Sequence, residues 1–295
     1  MPIVLGLAGA IFWGLADFVA RFSSRRVGAY RTLFYMQFFG LITLSGYWKW
    51  TGGFGAGITR GWQPWALAAL AGVINMAASL ALYYSFQIGV MSIVAPVSSS
   101  YPALTVALSL LAGERLRLLR GAGLAVTLLG VIFAATSFKP DVTHPLTGEP
   151  GHERAHLSKG VGWAIIACLG FGFLFWFLGY YVVPAVGSAA SVWVIRVTSI
   201  CVLAIAAAPT RQTLGLPRGS VWWRLAGIGF LDTAAFVANN AGLATGQVSV
   251  VSVLASLYGA VTVLLSWIFL RERLERSQWL GVFIIFVGIV LVSLR

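Results

Sequence analysis

The sequence has little charge, little cysteine and few acidic side chains. Only 9% of its 295 residues are charged, whereas a soluble domain has roughly 25%. The two cysteines, Cys168 and Cys201, both lie inside apolar stretches, where a structural disulfide is not expected. The composition therefore excludes an ordinary soluble domain and a disulfide-stapled one.

The charged residues are mostly positive, which gives a formal net charge of +12. An excess of this size can indicate a protein that binds nucleic acid. Here, however, every lysine and arginine except Arg196 lies in or beside a connection between apolar stretches, which is where membrane proteins carry them. We therefore predict a protein whose partner is the lipid bilayer and not nucleic acid.

Residues that could carry catalysis are also scarce. The three histidines fall in one polar connection, where residues 152–156 read HERAH and match the zinc-protease pattern HExxH. That pattern needs a helix that places both histidines on one face, with a third ligand nearby, whereas this connection is short and carries prolines. The chain has no GxSxG nucleophile motif and no GxxxxGK(S/T) phosphate loop. The sequence predicts neither an enzyme nor an ATP-driven pump, and no cofactor or bound metal.

Long apolar runs are what the chain has in abundance, since 59% of its residues are apolar. A helix of about 20 apolar residues spans a bilayer. Ten such runs lie at residues 2–22, 30–49, 62–86, 90–112, 121–137, 160–182, 187–208, 220–243, 247–270 and 277–294. They predict an all-α integral membrane protein with ten transmembrane helices.

The two halves of the chain are similar to each other. The segment Gly89–Leu116 aligns with Gly246–Leu274, and ten of the first 21 aligned residues are identical, Tyr101 and Tyr258 among them. An internal repeat of this length indicates that one set of helices occurs twice.

Each half holds five predicted helices, and an odd number of crossings inverts the second half relative to the first. We predict two inverted five-helix repeats, at residues 1–137 and 159–295, joined by a polar connection at 138–158. Inverted repeats build many secondary transporters, whose substrate binds near the membrane midplane between the halves. Because both repeats are in one chain, we expect a monomer to function.

The repeated segments also carry a resemblance to a known family. Each is a serine-bearing helix that ends in Glu-Arg-Leu, at 114–116 and 272–274, and the first contains Ala95-Pro96 and Tyr101-Pro102. In these features the chain resembles the drug/metabolite transporter superfamily, specifically its ten-helix EamA-type exporters. The resemblance implies export of small metabolites, and the aromatic richness and short connections are most similar to the family's aromatic amino acid exporters. The second copy lacks both prolines, which are the usual cause of a helix bend.

Charged residues inside the predicted helices are candidates for the substrate site, because a charge within a membrane costs at least ~2.5 kcal/mol. Asp17, Arg196 and Asp232 lie away from the ends of their runs. A pair with Arg21 at i,i+4 near the membrane interface is the simpler account of Asp17. Arg196 either pairs with an acidic residue or contacts the substrate.

Polar residues recur at equivalent positions of the two halves. Asp232 is the repeat partner of Asn75, and Asn239 shares a helix face with Asp232. Such residues either line a water-filled cavity or join helices by hydrogen bonds. Aromatic side chains beside them suit an amphiphilic or aromatic solute. The predicted substrate-binding set is Trp13, Asn75, Ser79, Tyr83, Tyr101, Trp163, Arg196, Asp232, Asn239 and Tyr258.

The sequence thus predicts a secondary transporter in a bacterial inner membrane that exports small amphiphilic metabolites, above all amino acids including aromatic ones, by alternating access. The alternatives are a superfamily carrier of a cationic drug, a nucleotide sugar or a phosphate ester, and a membrane protein that does not transport. Two arguments disagree on sidedness. Lysines and arginines are more numerous opposite the termini, which the positive-inside rule assigns to the cytoplasm, whereas the resemblance implies cytoplasmic termini.

Overall fold

The protein is helical throughout the part that the computed structural model describes, which is residues 1–51, 61–113, 118–135, 159–217, 219–271 and 276–293. No strand occurs in these ranges. The helices are α1 Pro2–Val27, α2 Ala29–Thr51, α3 Gln63–Ile88, α4 Met91–Ser99, α5 Pro102–Leu111, α6 Leu118–Ala135, α7 Val161–Phe177, α8 Val183–Val186, α9 Ser188–Ala207, α10 Val221–Leu243, α11 Val248–Ala255, α12 Tyr258–Leu265 and α13 Arg276–Ser293. Two short π-helical segments, Leu178–Val182 after α7 and Ser266–Leu270 after α12, continue the chain without a break.

Several of these stretches are long and apolar enough to cross a membrane. Within the described ranges there are seven: Pro2–Val27, Gln63–Ile88, Met91–Leu111, Val161–Val186, Ser188–Ala207, Val221–Leu243 and Val248–Leu270. Large apolar side chains cover the outside of the bundle, as Val4, Ile205 and Phe283 show with exposures of 66%, 76% and 65%. An apolar exterior around buried serines, threonines and amides is the arrangement expected in lipid. The helix bounds follow the ten predicted runs closely, and the count of ten crossings stays a prediction.

The fourth and ninth predicted runs are each broken in the middle, which the sequence did not predict for the second copy. The first break separates α4 from α5, with Pro96 inside α4 and Pro102 at the start of α5. The second break, between α11 and α12, occurs without proline. There Ser256 donates its hydroxyl to the Val253 carbonyl at 2.7 Å, and the backbone N–H of Leu257 bonds three residues back, to Leu254, at 3.2 Å. A side chain that occupies backbone acceptors weakens a helix locally.

The packing between the halves is reciprocal. Helix α1 packs on α10 as α7 packs on α3, and α2 packs on α10 as α9 packs on α3. The broken helices cross in the same manner, since α4 packs on α12 and α5 on α11, while α6 packs on α13. Each of these contacts between the halves thus has a counterpart with the roles exchanged, which supports a two-fold relation between the halves. The inverted insertion of the second half stays a prediction.

Helices α2 and α10 approach each other so closely that only a glycine fits at the point of contact. A Cβ atom at Gly229 would lie 2.7 Å from the Met36 carbonyl oxygen and 2.9 Å from the Gly40 nitrogen. Its repeat partner Gly72 stands in the same relation to α9, where the Cα of Ile195 would be 3.3 Å away. Small residues of this kind allow helix backbones to approach in membranes.

We expect Gly229→Ala to lower the thermal unfolding midpoint of the detergent-purified protein. Its methyl group would meet backbone atoms of α2, which cannot move aside, and overpacking of this kind costs about 1–3 kcal/mol. Gly227→Ala is the matched control, because among the described residues no heavy atom outside its own helix would lie within 4 Å of the new Cβ. Equal midpoints for the two variants would contradict the close approach of α2 and α10.

Candidate functional site

A cavity lies between the two halves, where the break before α5 meets α1, α3, α7, α10 and the start of α12. Its lining residues are Trp13, Asp17, Met36, Ser79, Leu82, Tyr83, Tyr101, Phe171, Phe175, Asp232, Phe236 and Tyr258. The cavity volume is about 30 Å³, which has room for roughly one or two water molecules. All the lining side chains are buried, so this conformation is closed around the site and has no room for a solute much larger than water.

One wall of the cavity carries an ion pair that has almost no access to solvent. The guanidinium of Arg196, whose side chain is 0% exposed, lies 2.5 Å from the carboxylate of Asp232. Arg196 also donates to the side-chain oxygen of Gln37 at 2.5 Å, and its guanidinium carbon lies 5.4 Å from the centre of the Phe236 ring. Three helices, α2, α9 and α10, therefore meet at one charge, and of the two alternatives for Arg196 the pair with an acidic residue is present.

The second oxygen of Asp232 connects this ion pair to α1. It accepts a hydrogen bond from the indole N–H of Trp13 at 3.0 Å. Asp17, one turn further along α1, also lines the cavity, which agrees with a place at the substrate site, and its pair with Arg21 stays a prediction. The site thus contains two carboxylates and one guanidinium.

The remaining walls are aromatic. The Trp13 ring packs against Phe175 at 5.5 Å between centroids and edge-on against Phe236 at 5.3 Å. Tyr101 lies 4.8 Å from Phe175. Rings at these distances and tilts attract each other beyond their burial, and together they form an apolar chamber beside the charged wall.

The repeat partners Tyr101 and Tyr258 meet at the two breaks. Their rings stack at 6.4 Å with an interplanar angle of 16°. The hydroxyl of Tyr101 donates to the Ser252 carbonyl at 3.0 Å, and that of Tyr258 donates to the Ser98 hydroxyl at 3.2 Å. Each tyrosine therefore anchors its own broken helix to the broken helix of the other half.

The structure brings together most of the predicted substrate-binding set. The cavity is lined by Trp13, Ser79, Tyr83, Tyr101, Asp232 and Tyr258, with Arg196 directly behind Asp232. Asn75 and Asn239 are buried but do not line it, and neither side-chain amide has a hydrogen-bond partner among the described residues. Trp163 is 44% exposed and packs edge-on against Tyr84 at 5.1 Å, away from the cavity. The prediction that Trp163 lies with the central residues is therefore wrong.

Several central residues were not in that set. Phe171 and Phe175 are four residues apart on one face of α7, a spacing that could have indicated a shared wall. Met36 on α2 gave no signal, whereas its neighbour Gln37 is an amide in the middle of an apolar run, which is the kind of signal that singled out Asn75.

No group of three His, Cys, Asp or Glu side chains comes together within the described ranges. The HERAH segment lies outside them, as do the two Glu-Arg-Leu segments.

Comparison with known proteins agrees with this architecture. A solved crystal structure superposes on the chain with a TM-score of 0.73 at 16% identity, over 99% of this chain and 96% of its own, and at this identity the likeness shows the fold alone. Among curated proteins no sequence matches. Residues 1–136 and 158–294 match the EamA-like transporter family. Because this match spans most of the chain, the protein belongs to the EamA-like transporter family and is a multi-pass integral membrane protein.

Proposed function

We propose that the protein is a secondary transporter that exports amino acids, including aromatic ones, by alternating access. One observation carries this proposal: the closed cavity is lined by aromatic rings and two carboxylates, and one of these carboxylates is paired with a guanidinium directly behind it. An aromatic amino acid matches this lining, because it has an apolar ring at one end and a zwitterionic group at the other.

The charged wall offers a partner for each end of a zwitterion. The guanidinium of Arg196 and the indole N–H of Trp13 both donate to Asp232 in the closed state, and a substrate carboxylate can accept the same hydrogen bonds. The substrate ammonium group then lies against Asp17 or Asp232. The substrate thus takes over hydrogen bonds that the protein makes to itself in the closed state. The free-energy cost of burying its charges is small, because one set of charge-assisted hydrogen bonds replaces another.

Alternating access follows from the size and place of the cavity. An amino acid does not fit into about 30 Å³, so the halves must separate on one side of the membrane and then on the other. The contacts that have to open are those between the broken helices, where Tyr101 and Tyr258 stack. Rocking of two halves around a fixed central site is the usual motion of repeat-built transporters.

A resemblance supports the same substrate class. The aromatic richness and short connections are similar to those of the aromatic amino acid exporter YddG, which belongs to the same superfamily. We accordingly place the protein in a bacterial inner membrane and expect the monomer to be the transporting unit.

An organic cation is the second candidate substrate. Two carboxylates face the cavity against one guanidinium, and aromatic rings attract cations. A phosphate ester or nucleotide sugar fits less well, because Arg196 is the sole lysine or arginine deep inside a described helix and phosphate sites use several.

Counterflow in vesicles that contain the purified protein distinguishes the two candidates. Phenylalanine and phenylethylamine share a ring and an ammonium group, and only phenylalanine has a carboxylate for Arg196. We expect preloaded phenylalanine to accelerate uptake of labelled phenylalanine, and phenylethylamine to be at least about tenfold less effective, as for loss of a charged hydrogen-bond partner. Transport of phenylethylamine without phenylalanine would replace the amino acid proposal with the cation one.

Charge removal at the ion pair separates a structural role from a transport role. Arg196→Gln and Asp232→Asn each leave one buried charge unpaired, and such a loss destabilises a protein by about 3–5 kcal/mol. The double variant removes both charges, so we expect its unfolding midpoint to exceed that of either single variant. Phenylalanine transport should be abolished in all three variants. Wild-type transport by the double variant would show that the pair only joins helices.

Two phenylalanines of α7 test the aromatic wall. Phe175 is 3% exposed and lines the cavity, whereas Phe173, two residues earlier, is 38% exposed. Since an aromatic contact contributes ~0.5–1.5 kcal/mol beyond burial, we expect Phe175→Ala to weaken phenylalanine transport several-fold and threonine transport less. Phe173→Ala is the matched control and should leave both rates unchanged. Equal loss of both substrates in Phe175→Ala would mean that this ring shapes the protein and does not select the substrate.

A further inference from the structure

A second and larger cavity lies on a neighbouring face of α3. Its volume is about 410 Å³, within the range of about 300–1,000 Å³ that small-molecule sites occupy. Its lining residues are Val27, Gly28, Ala29, Tyr30, Arg31, Leu80, Tyr84, Gln87, Trp163, Gln212 and Thr213. They come from the turn between α1 and α2, the last turns of α3, the start of α7 and the connection after α9, all at one end of the bundle.

The lining changes from apolar to polar along α3. Leu80, Tyr84 and Gln87 follow each other at i, i+4 and i+7 and so share one helix face, over roughly 10 Å of helix. Gln87 is next to the helix end at Ile88. Leu80 therefore lies deepest in the membrane, and Gln87 lies at its boundary.

Polar and aromatic groups from other elements extend the same gradient. Arg31 lies in the first turn of α2, and Gln212 and Thr213 follow α9, so these three lie at the polar end. Trp163, in the first turn of α7, packs edge-on against Tyr84. Tryptophan and tyrosine prefer this level of a membrane, where an apolar ring meets the headgroups.

The positive charge of Arg31 has no carboxylate near it among the described residues. The acidic residues in the described ranges are Asp17 and Asp232, and both line the central cavity. Arg31 donates one N–H to the Gly215 carbonyl, while its buried Nε has no hydrogen-bond partner in the described part of the chain. Two further arginines, Arg26 and Arg211, are the sequence neighbours of lining residues.

The geometry points to a binding site for one anionic phospholipid in this second cavity. The lipid phosphate binds Arg31 and the polar side chains Gln87 and Gln212, and an acyl chain lies along Tyr84 and Leu80 beside Trp163. Guanidinium groups form strong, directional hydrogen bonds with phosphate, and a positive charge that no carboxylate of the described residues neutralises favours an anionic headgroup over a zwitterionic one. The site is separate from the central cavity and does not depend on which solute is transported.

Fluorescence quenching by brominated lipids tests the site in the full-length protein. The signal of Trp163 is the difference between the wild-type protein and Trp163→Phe. In phosphatidylcholine bilayers, a small fraction of brominated phosphatidylglycerol should quench this signal several-fold more than the same fraction of brominated phosphatidylcholine. Arg31→Gln should reduce the preference for phosphatidylglycerol about tenfold, as for loss of a charged hydrogen bond, and Arg31→Lys should retain most of it.

Two further variants and one competitor complete the test. Lys49→Gln removes an exposed charge from the other end of α2 and should keep the preference. Leu80→Phe fills the apolar end without altering Arg31 or adding a tryptophan and should also reduce the preference, which tests the site even if Arg31→Gln does not fold. Equal quenching by the two lipids in the wild-type protein, or an unchanged preference in Leu80→Phe and Arg31→Gln, overturns the proposal. Inorganic phosphate is the competitor. If its addition abolishes the preference for phosphatidylglycerol, the site binds a free anion, which overturns the lipid proposal as well.

Discussion

Arg196 has no exposed surface and is the only charged residue of α9, a helix that is otherwise uncharged. A charge in that position is stable only if other elements supply its partners. Asp232 and Gln37 supply them, and the close approach of α2 and α10 at Gly229 brings both within reach. Trp13 then connects Asp232 to α1. The need to satisfy one guanidinium therefore fixes four helices from both halves around the same point.

The same constraint explains why the cavity has unlike walls. The guanidinium, its carboxylate and the indole N–H satisfy one another, so rings such as Phe171 and Phe175 can fill much of the remaining lining. Asp232 neutralises Arg196 and also accepts the hydrogen bond of Trp13, so these three groups are satisfied within the protein itself.

The sequence predicted the helices well and the site in part, for a physical reason. Long apolar runs determine where helices cross, and the repeat identified Tyr101 and Tyr258 as partners. Lipid is as apolar as the protein interior, so the pattern of apolar residues does not reveal which face of a helix points inward. Trp163 was therefore assigned to the centre, Phe175 was left out, and the partners of Arg196 on α2 became visible only in three dimensions.

The two helix breaks differ in how firmly they are imposed. In the first, Pro102 has no N–H to give, so α4 and α5 cannot fuse into one regular helix. In the second, Ser256 and Leu257 retain every backbone N–H that a continuous helix needs, and only the local hydrogen bonds of these two residues mark the break. The first broken helix is therefore held bent by its covalent structure, whereas the second can straighten without losing a backbone hydrogen-bond donor. The two repeats thus differ in stiffness although they share one fold.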